Sequence, residues 1–446
     1  MEPRISRHFT VAGLLRYTAP TAFMMAFTSI YGVVDGLFVS NFVGKEAFSA
    51  LNLIYPLIML LGSLGFMLGT GGVALVAKTM GQGEGKRARG LFSFFMYVTL
   101  VVGLACTFIA LAAVRPLGEL LGAQGSLLEQ AVVYGSILAL SLPFLMVQQA
   151  SQSYFAAAGK PKVGLAVIVG AGVANVVLDA LSIIVFGWGL AGAAIATAIS
   201  EVLGGGIPLI YFLVVRTGPL SLGKPAVEFK SLGKACVNGS SELVANASMS
   251  LVSMLYNYQL MSFIGPDGVA AYGVVQYVAW IFVSLFLGFN VGCAPLVSYQ
   301  YGAKNTRELQ SLFRKSLAII GVTGVALTLA AQVFARPLAL FFVGYDEGVT
   351  QLTVTALQIY SVMLLIAGFS LFGSAFFTAL NNGLVSALIS FLRTLVFEVA
   401  AVLILPTLMG ASGIWYAIVV AEAMAFIVTC AFLVGLARRY GYARTS

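Results

Sequence analysis

The stretch GTGGVALVAKTMGQGEGKRARGLF, residues 69–92, has a second copy farther along the chain, within GFNVGCAPLVSYQYGAKNTRELQSLF, residues 288–313. The two copies align at a shift of 221 residues (302 − 81), which pairs Gly81 with Gly302. The sequence therefore contains two related halves, and the fold is predicted from what each half holds.

The repeat extends over most of each half. At the same shift SNFVGKEAFSA, residues 40–50, matches MSFIGPDGVAA, residues 261–271. After a slip of two residues, GLAVIVGAGVANVVLDA, residues 164–180, aligns with GLVSALISFLRTLVFEVAA, residues 383–401. We expect six membrane spans in each half. Because six is an even number, both halves insert with the same orientation, related by a pseudo-twofold axis along the membrane normal. That arrangement suits alternating access.

Composition places the chain in a membrane. Of its 446 residues 60% are hydrophobic and only 9% are charged, whereas soluble domains carry about 25% charged residues. Apolar runs of about 20 residues recur along the chain, each long enough to cross a bilayer, and they do not alternate as barrel strands do. We predict an all-α membrane protein with about twelve transmembrane helices in two six-helix bundles. Residues 1–215 form the first lobe, 216–234 a cytoplasmic linker and 235–446 the second lobe.

The charge distribution predicts the orientation. Of the 24 Lys and Arg residues, all but Lys45, Arg115, Arg336 and Arg393 fall at the chain ends or in loops on one predicted side of the membrane. The positive-inside rule then places both termini in the cytoplasm, and it explains the net charge of +8 without a nucleic-acid partner. We expect a monomeric, multi-pass protein in the plasma (inner) membrane of a prokaryote.

The scarcity of histidine argues against His-based catalysis and most zinc sites. His8 is the only histidine, and the four cysteines show no pairing or metal-binding pattern. Two intramembrane aspartates also occur in aspartyl proteases, but the contexts here, VVDG around Asp35 and VLDA around Asp179, lack the Tyr-Asp and Gly-x-Gly-Asp motifs of those enzymes. We therefore expect neither enzymatic activity nor a cofactor.

Acidic residues within the apolar spans are the strongest functional signal. A charge at the bilayer centre costs about 2.5–3.5 kcal/mol on insertion scales, so such residues face a polar interior or a pathway. The chain places six acids in predicted spans: Asp35, Asp179, Glu201, Glu242, Glu398 and Glu422.

Four oxygen-bearing residues of the first half are predicted to form a coupling-ion site. Asn175 and Asp179 are four residues apart and share a helical face. A tight FGWGLAG connection returns Thr197 to their depth, and Asp35 lies within SIYGVVDGLFVS. Two carboxylates, an amide and a hydroxyl suit Na⁺, and two neighbouring carboxylates equally suit a proton. The sequence does not separate these two ions.

The second half carries a different set at related positions. The repeat places Glu398 opposite Asp179 and Thr394 opposite Asn175, while Tyr256 replaces Asp35. Arg393 is expected to neutralise either Glu398 or Glu422. We predict that substrate contacts come from Glu242, Tyr256, Glu398, Met24 and Tyr31, and that Pro20 bends the first span.

The sequence resembles the multidrug and toxin extrusion (MATE) family over nearly its whole length. The resemblance rests on the six-span repeats and on PTAFMMAFTSIYGVVDGLFVSNFVG (20–44), GTGGVALVAKTMGQGEGKRA (69–88) and NVVLDALSIIVFGWGLAGAAIAT (175–197). It implies a V-shaped pair of bundles, the MATE/MOP-like fold, that exports amphipathic, often cationic, drugs or toxins in exchange for H⁺ or Na⁺.

The DinF-like branch of the family has a coupling site to which Asp35, Asn175, Asp179 and Thr197 correspond, and Pro20 matches the proline at which its first helix bends. The NorM-like branch uses acids on spans seven and ten. Glu242 resembles the first, but span ten offers no acid, so the chain is nearer to the MepA-like members. The alternative within transport is a lipid or lipid-linked precursor flippase, a class that favours a more cationic cavity.

Overall fold

The computed structural model describes residues 4–216, 218–344 and 346–442, and helices account for nearly all of them. The chain ends, with Arg444 among the tail residues that we place in the cytoplasm, lie outside the described residues. The long helices are α1 (Val11–Phe38), α2 (Lys45–Gly81), α3 (Gly85–Leu120), α4 (Gly125–Ala157), α5 (Pro161–Asp179), α6 (Gly189–Val214), α7 (Phe229–Phe263), α8 (Pro266–Gly302), α9 (Thr306–Val343), α10 (Glu347–Ser361), α11 (Leu364–Ala379), α12 (Gly383–Phe391), α13 (Glu398–Met409) and α14 (Ala411–Gly435).

The predicted all-α membrane fold with about twelve spans is confirmed. Within the described residues, ten helical segments are long and apolar enough to cross a membrane, and α10 with α11, bent by 48°, makes an eleventh. The remaining segment, α7, is more polar because Ser and Asn residues are spread along it and because Lys230, Lys234 and Glu242 lie in its first half. It begins at Phe229, so its first turns lie within the residues 216–234 that we assigned to the linker.

Three wide π-helical turns interrupt the regular helices. Val39–Val43 extends α1, Ala180–Val185 extends α5, and Leu392–Phe397 joins α12 to α13. Such turns are rare and often occur at functional sites. Two of them adjoin Asp179 and Glu398, the acids that the repeat pairs.

The two halves meet through α1, α2, α7 and α8. Gly81 of α2 faces the Tyr299 backbone on α8, and its repeat equivalent Gly302 faces the Lys78 backbone on α2. A Cβ atom at either glycine would overlap a backbone carbonyl of the other half. The helices therefore touch backbone to backbone here. We call this end of the molecule, where Lys78 and Lys304 lie, the basic end.

A second pair of equivalent glycines also makes close contacts between the halves, farther from the basic end. Gly71 of α2 faces Ala235 and Gly239 of α7, and its repeat equivalent Gly292 of α8 faces Thr18 of α1. The hydrophobic core at the basic end is likewise continuous across both halves. By contrast, the core around Ile54 in the opposite part of the first half forms a separate cluster. The halves are thus joined at the basic end.

Two polar clasps reinforce this closure. Arg87 at the start of α3 binds Glu228, which precedes α7, through Nε–Oε1 (2.9 Å) and Nη2–Oε2 (3.0 Å). Its repeat equivalent, Glu308 of α9 (308 − 87 = 221), accepts a hydrogen bond from the Phe9 amide (3.1 Å) and contacts His8 Nδ1 (2.5 Å). Each half therefore holds the segment that leads into the first helix of the other.

The clasp at Glu228 is insensitive to pH in the physiological range. Its hydrogen bonds from Arg87, and that from Ser231, lower the pKa of Glu228 from 4.5 to about 2. A carboxyl whose pKa is lower in the folded state contributes stability above its unfolded pKa and loses it as the pH falls through the folded value. This contribution is therefore constant above about pH 5.

We predict that Gly302→Val destabilises the closed basic end, because its side chain would overlap the Lys78 carbonyl. The thermal unfolding midpoint of the purified protein should fall by several degrees. Gly206→Ala on α6 is the matched control, since its Cβ would meet nothing within 4 Å. Equal midpoints for the two variants would contradict this account of the closure.

Candidate functional site

The structure brings together the four residues of the predicted coupling site. Helix α5 packs between α1 and α6. Asp179 and Asn175 on α5 are buried, with 0% and 1% of their surface exposed. Asn175 Nδ2 donates to Thr197 Oγ1 on α6 at 3.4 Å, and the Asp35 carboxyl on α1 is close enough to the Asp179 carboxyl to interact with it electrostatically.

Several oxygens at this site have no hydrogen-bond donor among the described residues. They are Asp35 Oδ1, Asn175 Oδ1 and both carboxylate oxygens of Asp179. Because the Asn175 amide gives its NH₂ group to Thr197, its oxygen is left as an acceptor. A buried polar group without a partner costs about 1–3 kcal/mol, and more if it is charged. Such a set favours the uptake of a proton or a small cation.

The short connection between α5 and α6 brings the chain back to the site. After Asp179 the helix widens into the π-helical turn Ala180–Val185. The chain then reverses at Gly187 and Gly189, whose φ angles of 67° and 57° are readily adopted by glycine. This short connection lets α6 run back beside α5 and carries Thr197 to the depth of Asn175.

The polar network extends beyond the residues that the sequence singled out. Ser141 of α4 donates to Glu201 Oε2 at 2.5 Å, and Glu201 is only 6% exposed. Tyr31 of α1 lies close to both Glu201 and Gln148. Sequence reasoning missed Ser141 because its partner is 60 residues away, with no local spacing that signals the contact.

The second half holds its charges in an ion pair. Arg393 Nε donates to Glu422 Oε1 at 2.8 Å, Arg393 Nη2 lies 2.6 Å from the same oxygen, and Glu422 is 1% exposed. Of the two partners considered for Arg393, Glu422 is the one bonded, while Glu398 lies within electrostatic range. Thr394 donates to the carbonyl of Ser390 at 2.8 Å on its own helix.

The residues expected to contact substrate do not form one cluster. Met24 and Tyr256 are fully buried in this conformation, and Tyr256 stacks on Tyr272 with ring centroids 4.9 Å apart. Glu242 precedes Tyr256 by 14 residues (256 − 242) on the continuous α7, about 21 Å along its axis. Glu242 therefore lies far from the Tyr256 and Glu398 region.

The remaining expected residues lie on α1. Tyr31 packs against Phe27 with ring centroids 6.0 Å apart, and Pro20 is buried inside the continuous helix. Among the described residues, no group of three or more His, Cys, Asp and Glu side chains is placed to hold a metal ion. The candidate Na⁺ site instead combines two carboxylates with an amide and a hydroxyl.

The sequence matches the MatE family model twice, over residues 20–181 and 243–404. The chain belongs to the MatE family. The two matches follow the internal repeat: the first ends just after Asp179, within the π-helical turn that begins at Ala180, and the second contains the whole π-helical turn that precedes Glu398.

Curated and solved MatE relatives agree with this assignment. The multidrug export protein MepA of Staphylococcus saprophyticus is 22% identical over 413 residues, 92% of this chain and 90% of that protein. The crystal structure of MATE in complex with MaL6 superposes with a TM-score of 0.90 at 24% identity, covering 95% of each chain. A multidrug resistance MATE family transporter of the MOP superfamily, solved in an outward-facing conformation, gives a TM-score of 0.89 at 24% identity, also over 95% of each chain.

We predict that Ser141→Ala destabilises this MatE protein by about 1–3 kcal/mol, because buried Glu201 loses its hydrogen-bond donor. Denaturant titration of the purified protein provides the measurement. The control is Ser262→Ala, since the Ser262 hydroxyl bonds only the Tyr258 carbonyl on an exposed helix surface. A Ser141 variant as stable as the Ser262 variant would argue against a structural hydrogen bond to Glu201.

Proposed function

We propose that this chain is a secondary antiporter that exports amphipathic, often cationic, compounds in exchange for H⁺ or Na⁺. The observation that carries the proposal is the pair of carboxyls at Asp35 and Asp179. Asp179 is fully buried, and both of its oxygens, like the buried Oδ1 of the half-buried Asp35, have no hydrogen-bond partner among the described residues. Such a pair is costly when empty and charged, and it is relieved by one mobile cation. Binding and release of that cation therefore change the energetics of the first half.

The proposed direction of coupling follows from the closed end. We take the basic end as cytoplasmic on the positive-inside rule. The glycine contacts and the two clasps then close the cytoplasmic side, so this conformation is one in which the site exchanges with the outside. For an uncharged substrate, inward movement of one charge through 100 mV supplies about 2.3 kcal/mol, which corresponds to roughly fifty-fold accumulation outside. A monocationic substrate carries one charge outward and cancels this contribution, so the concentration gradient of the coupling ion drives that exchange.

The proposed substrates are small molecules. The relatives named above are described as multidrug export and multidrug resistance proteins. Glu242 lies on α7, three residues after Gly239, the glycine at which α7 contacts α2 of the first half. Glu242 is farther from the basic end than this contact. A carboxylate at this place favours compounds that carry positive charge.

Pro20 is proposed to link ion binding to the movement of α1. A proline inside a helix removes one backbone hydrogen bond and permits bending. It lies fifteen residues (35 − 20) before Asp35 on the same continuous helix. Loading of Asp35 then favours one shape of α1, which in turn alters its contact with α8.

We predict that Asp35→Asn and Asp179→Asn abolish gradient-driven export. In vesicles with an imposed Na⁺ or pH gradient, substrate movement should fall to the level of protein-free vesicles, because the variants cannot hold the exchanged cation. The control is Asp267→Asn at the exposed start of α8, which should transport as the wild type does. Unaltered export by either site variant would refute the coupling assignment.

We further predict that Pro20→Ala slows exchange without abolishing cation binding, since alanine restores the backbone N–H that proline lacks, stiffens α1 and leaves the carboxyls in place. Transport rate and cation binding are measured on the same preparation. Pro56→Ala, which alters an exposed proline of α2, serves as the matched control. Equal transport rates for the two variants would exclude the hinge role of Pro20.

A further inference from the structure

The two halves carry different charges at equivalent places. The first holds the acids Asp35, Asp179 and Glu201, and among the described residues no ion pair joins any of them to a basic side chain. The second holds Glu398 and Glu422 at the equivalent places, and Arg393 is bonded to Glu422. It also holds Glu242, which lies apart on α7 and has no ion pair among the described residues. An intramembrane acid is thus compensated by the protein itself only in the second half.

The charge difference between the halves can be traced to one position of the repeat. Glu422 corresponds to Glu201 (422 − 201 = 221), and Glu398 corresponds to Asp179 (398 − 179 = 219). At the latter shift the counterpart of Arg393 is Ala174. One position therefore bears a guanidinium in the second half and a methyl group in the first.

The geometry of the pair holds the guanidinium in place. Two nitrogens of Arg393 reach the same oxygen of Glu422, at 2.6 and 2.8 Å, and the acid is almost completely buried. An arginine stays protonated at any pH that a protein encounters. Arg393 is therefore a permanent positive charge at this site.

The π-helical turn directs Arg393 to both acids. Arg393 and Glu398 are five residues apart, which on a regular α-helix places them on different faces. The turn Leu392–Phe397 between α12 and α13 is π-helical, and its i→i+5 pattern stacks residues five apart. Glu398 is accordingly within electrostatic range of Arg393 as well as of Glu422.

Hydrogen-bonding oxygens that do not take part in the ion pair remain near Arg393. Glu422 Oε2 and the Tyr256 hydroxyl are buried and have no partner among the described residues. Tyr256 and Tyr360 both lie close to Glu398 and Glu422. Without its guanidinium, the second half would present two carboxylates and hydroxyl oxygens, a donor set similar to that at Asp35 and Asp179.

We propose that Arg393 is a tethered cation that takes, in the second half, the place that a mobile coupling ion takes in the first. The inference rests on the proposed antiport and deepens it, because it assigns a single coupling ion to each chain. Removal of the guanidinium should convert the second half into an additional cation site.

The test counts cations on the purified, full-length protein. Radioactive Na⁺ binding and proton uptake after a pH jump are measured between about pH 5 and pH 8, a range in which the Glu228 clasp does not titrate. Each count is the excess over the Asp35→Asn, Asp179→Asn variant, which keeps the other intramembrane acids Glu201, Glu242 and Glu398. The wild type should take up one cation, Arg393→Gln two, and Arg393→Lys one, because lysine keeps the tethered charge. An unchanged count in Arg393→Gln overturns the proposal.

A second background separates this inference from the proposed function. Asp35→Asn should bind no cation, and Asp35→Asn with Arg393→Gln should bind one. Binding that persists in Asp35→Asn alone contradicts the coupling site of the first half. If Asp35→Asn loses cation binding as expected and the double variant also binds nothing, the result contradicts only the role of Arg393.

The variants also allow for a folding defect. Arg393→Gln with Glu422→Gln removes both charges of the pair, and it should fold and bind one cation. If Arg393→Gln is unfolded in choline chloride but recovers in sodium chloride or at acid pH, a mobile cation replaces the guanidinium, as proposed. If it fails under every condition while the double variant folds, no mobile cation can take that place and the proposal is wrong.

Discussion

Carboxylates inside an apolar helical bundle must be compensated, and the rest of this structure depends on that constraint. The cost of an uncompensated charge in the membrane is several kcal/mol, comparable with the stability of a whole domain. In the first half, Asp35 and Asp179 face each other with oxygens that no described donor reaches. In the second half, Glu422 is bonded to Arg393. In the second half a side chain of the protein compensates an intramembrane acid, and in the first half we propose that a mobile cation does so.

Duplication makes this asymmetry useful. The halves share their helices, their glycine contacts at the basic end and their clasps, down to the equivalence of Arg87 and Glu308. Symmetric closure allows two similar bodies to move against each other about the shared core. In the antiport that we propose, an ion that loads only one body biases a motion in which both take part, so that binding at one carboxyl pair is sufficient to drive the cycle.

Much of this was predictable from sequence because it depends on composition and on short spacings. Span number followed from apolar runs, and the proximity of Asn175 to Asp179 followed from a separation of four residues on a helix. Contacts between distant segments were not predictable. The hydrogen bond from Ser141 to Glu201 depends on how the helices pack. So does the pairing of Arg393 with Glu422 instead of Glu398. The π-helical turns change which residues share a helix face, and their sequences show no pattern that distinguishes them from the α-helices around them.

The central claim is that a mobile cation compensates the carboxyls of the first half. The most direct measurement is an experimental structure in sodium, and again at acid pH, at a resolution that places individual ions. We expect either a density peak bound by oxygens of Asp35, Asn175, Asp179 and Thr197, or a carboxyl–carboxyl contact of about 2.5–2.7 Å that marks a shared proton. Carboxyls that stay apart under both conditions, with neither ion nor proton between them, would contradict the account.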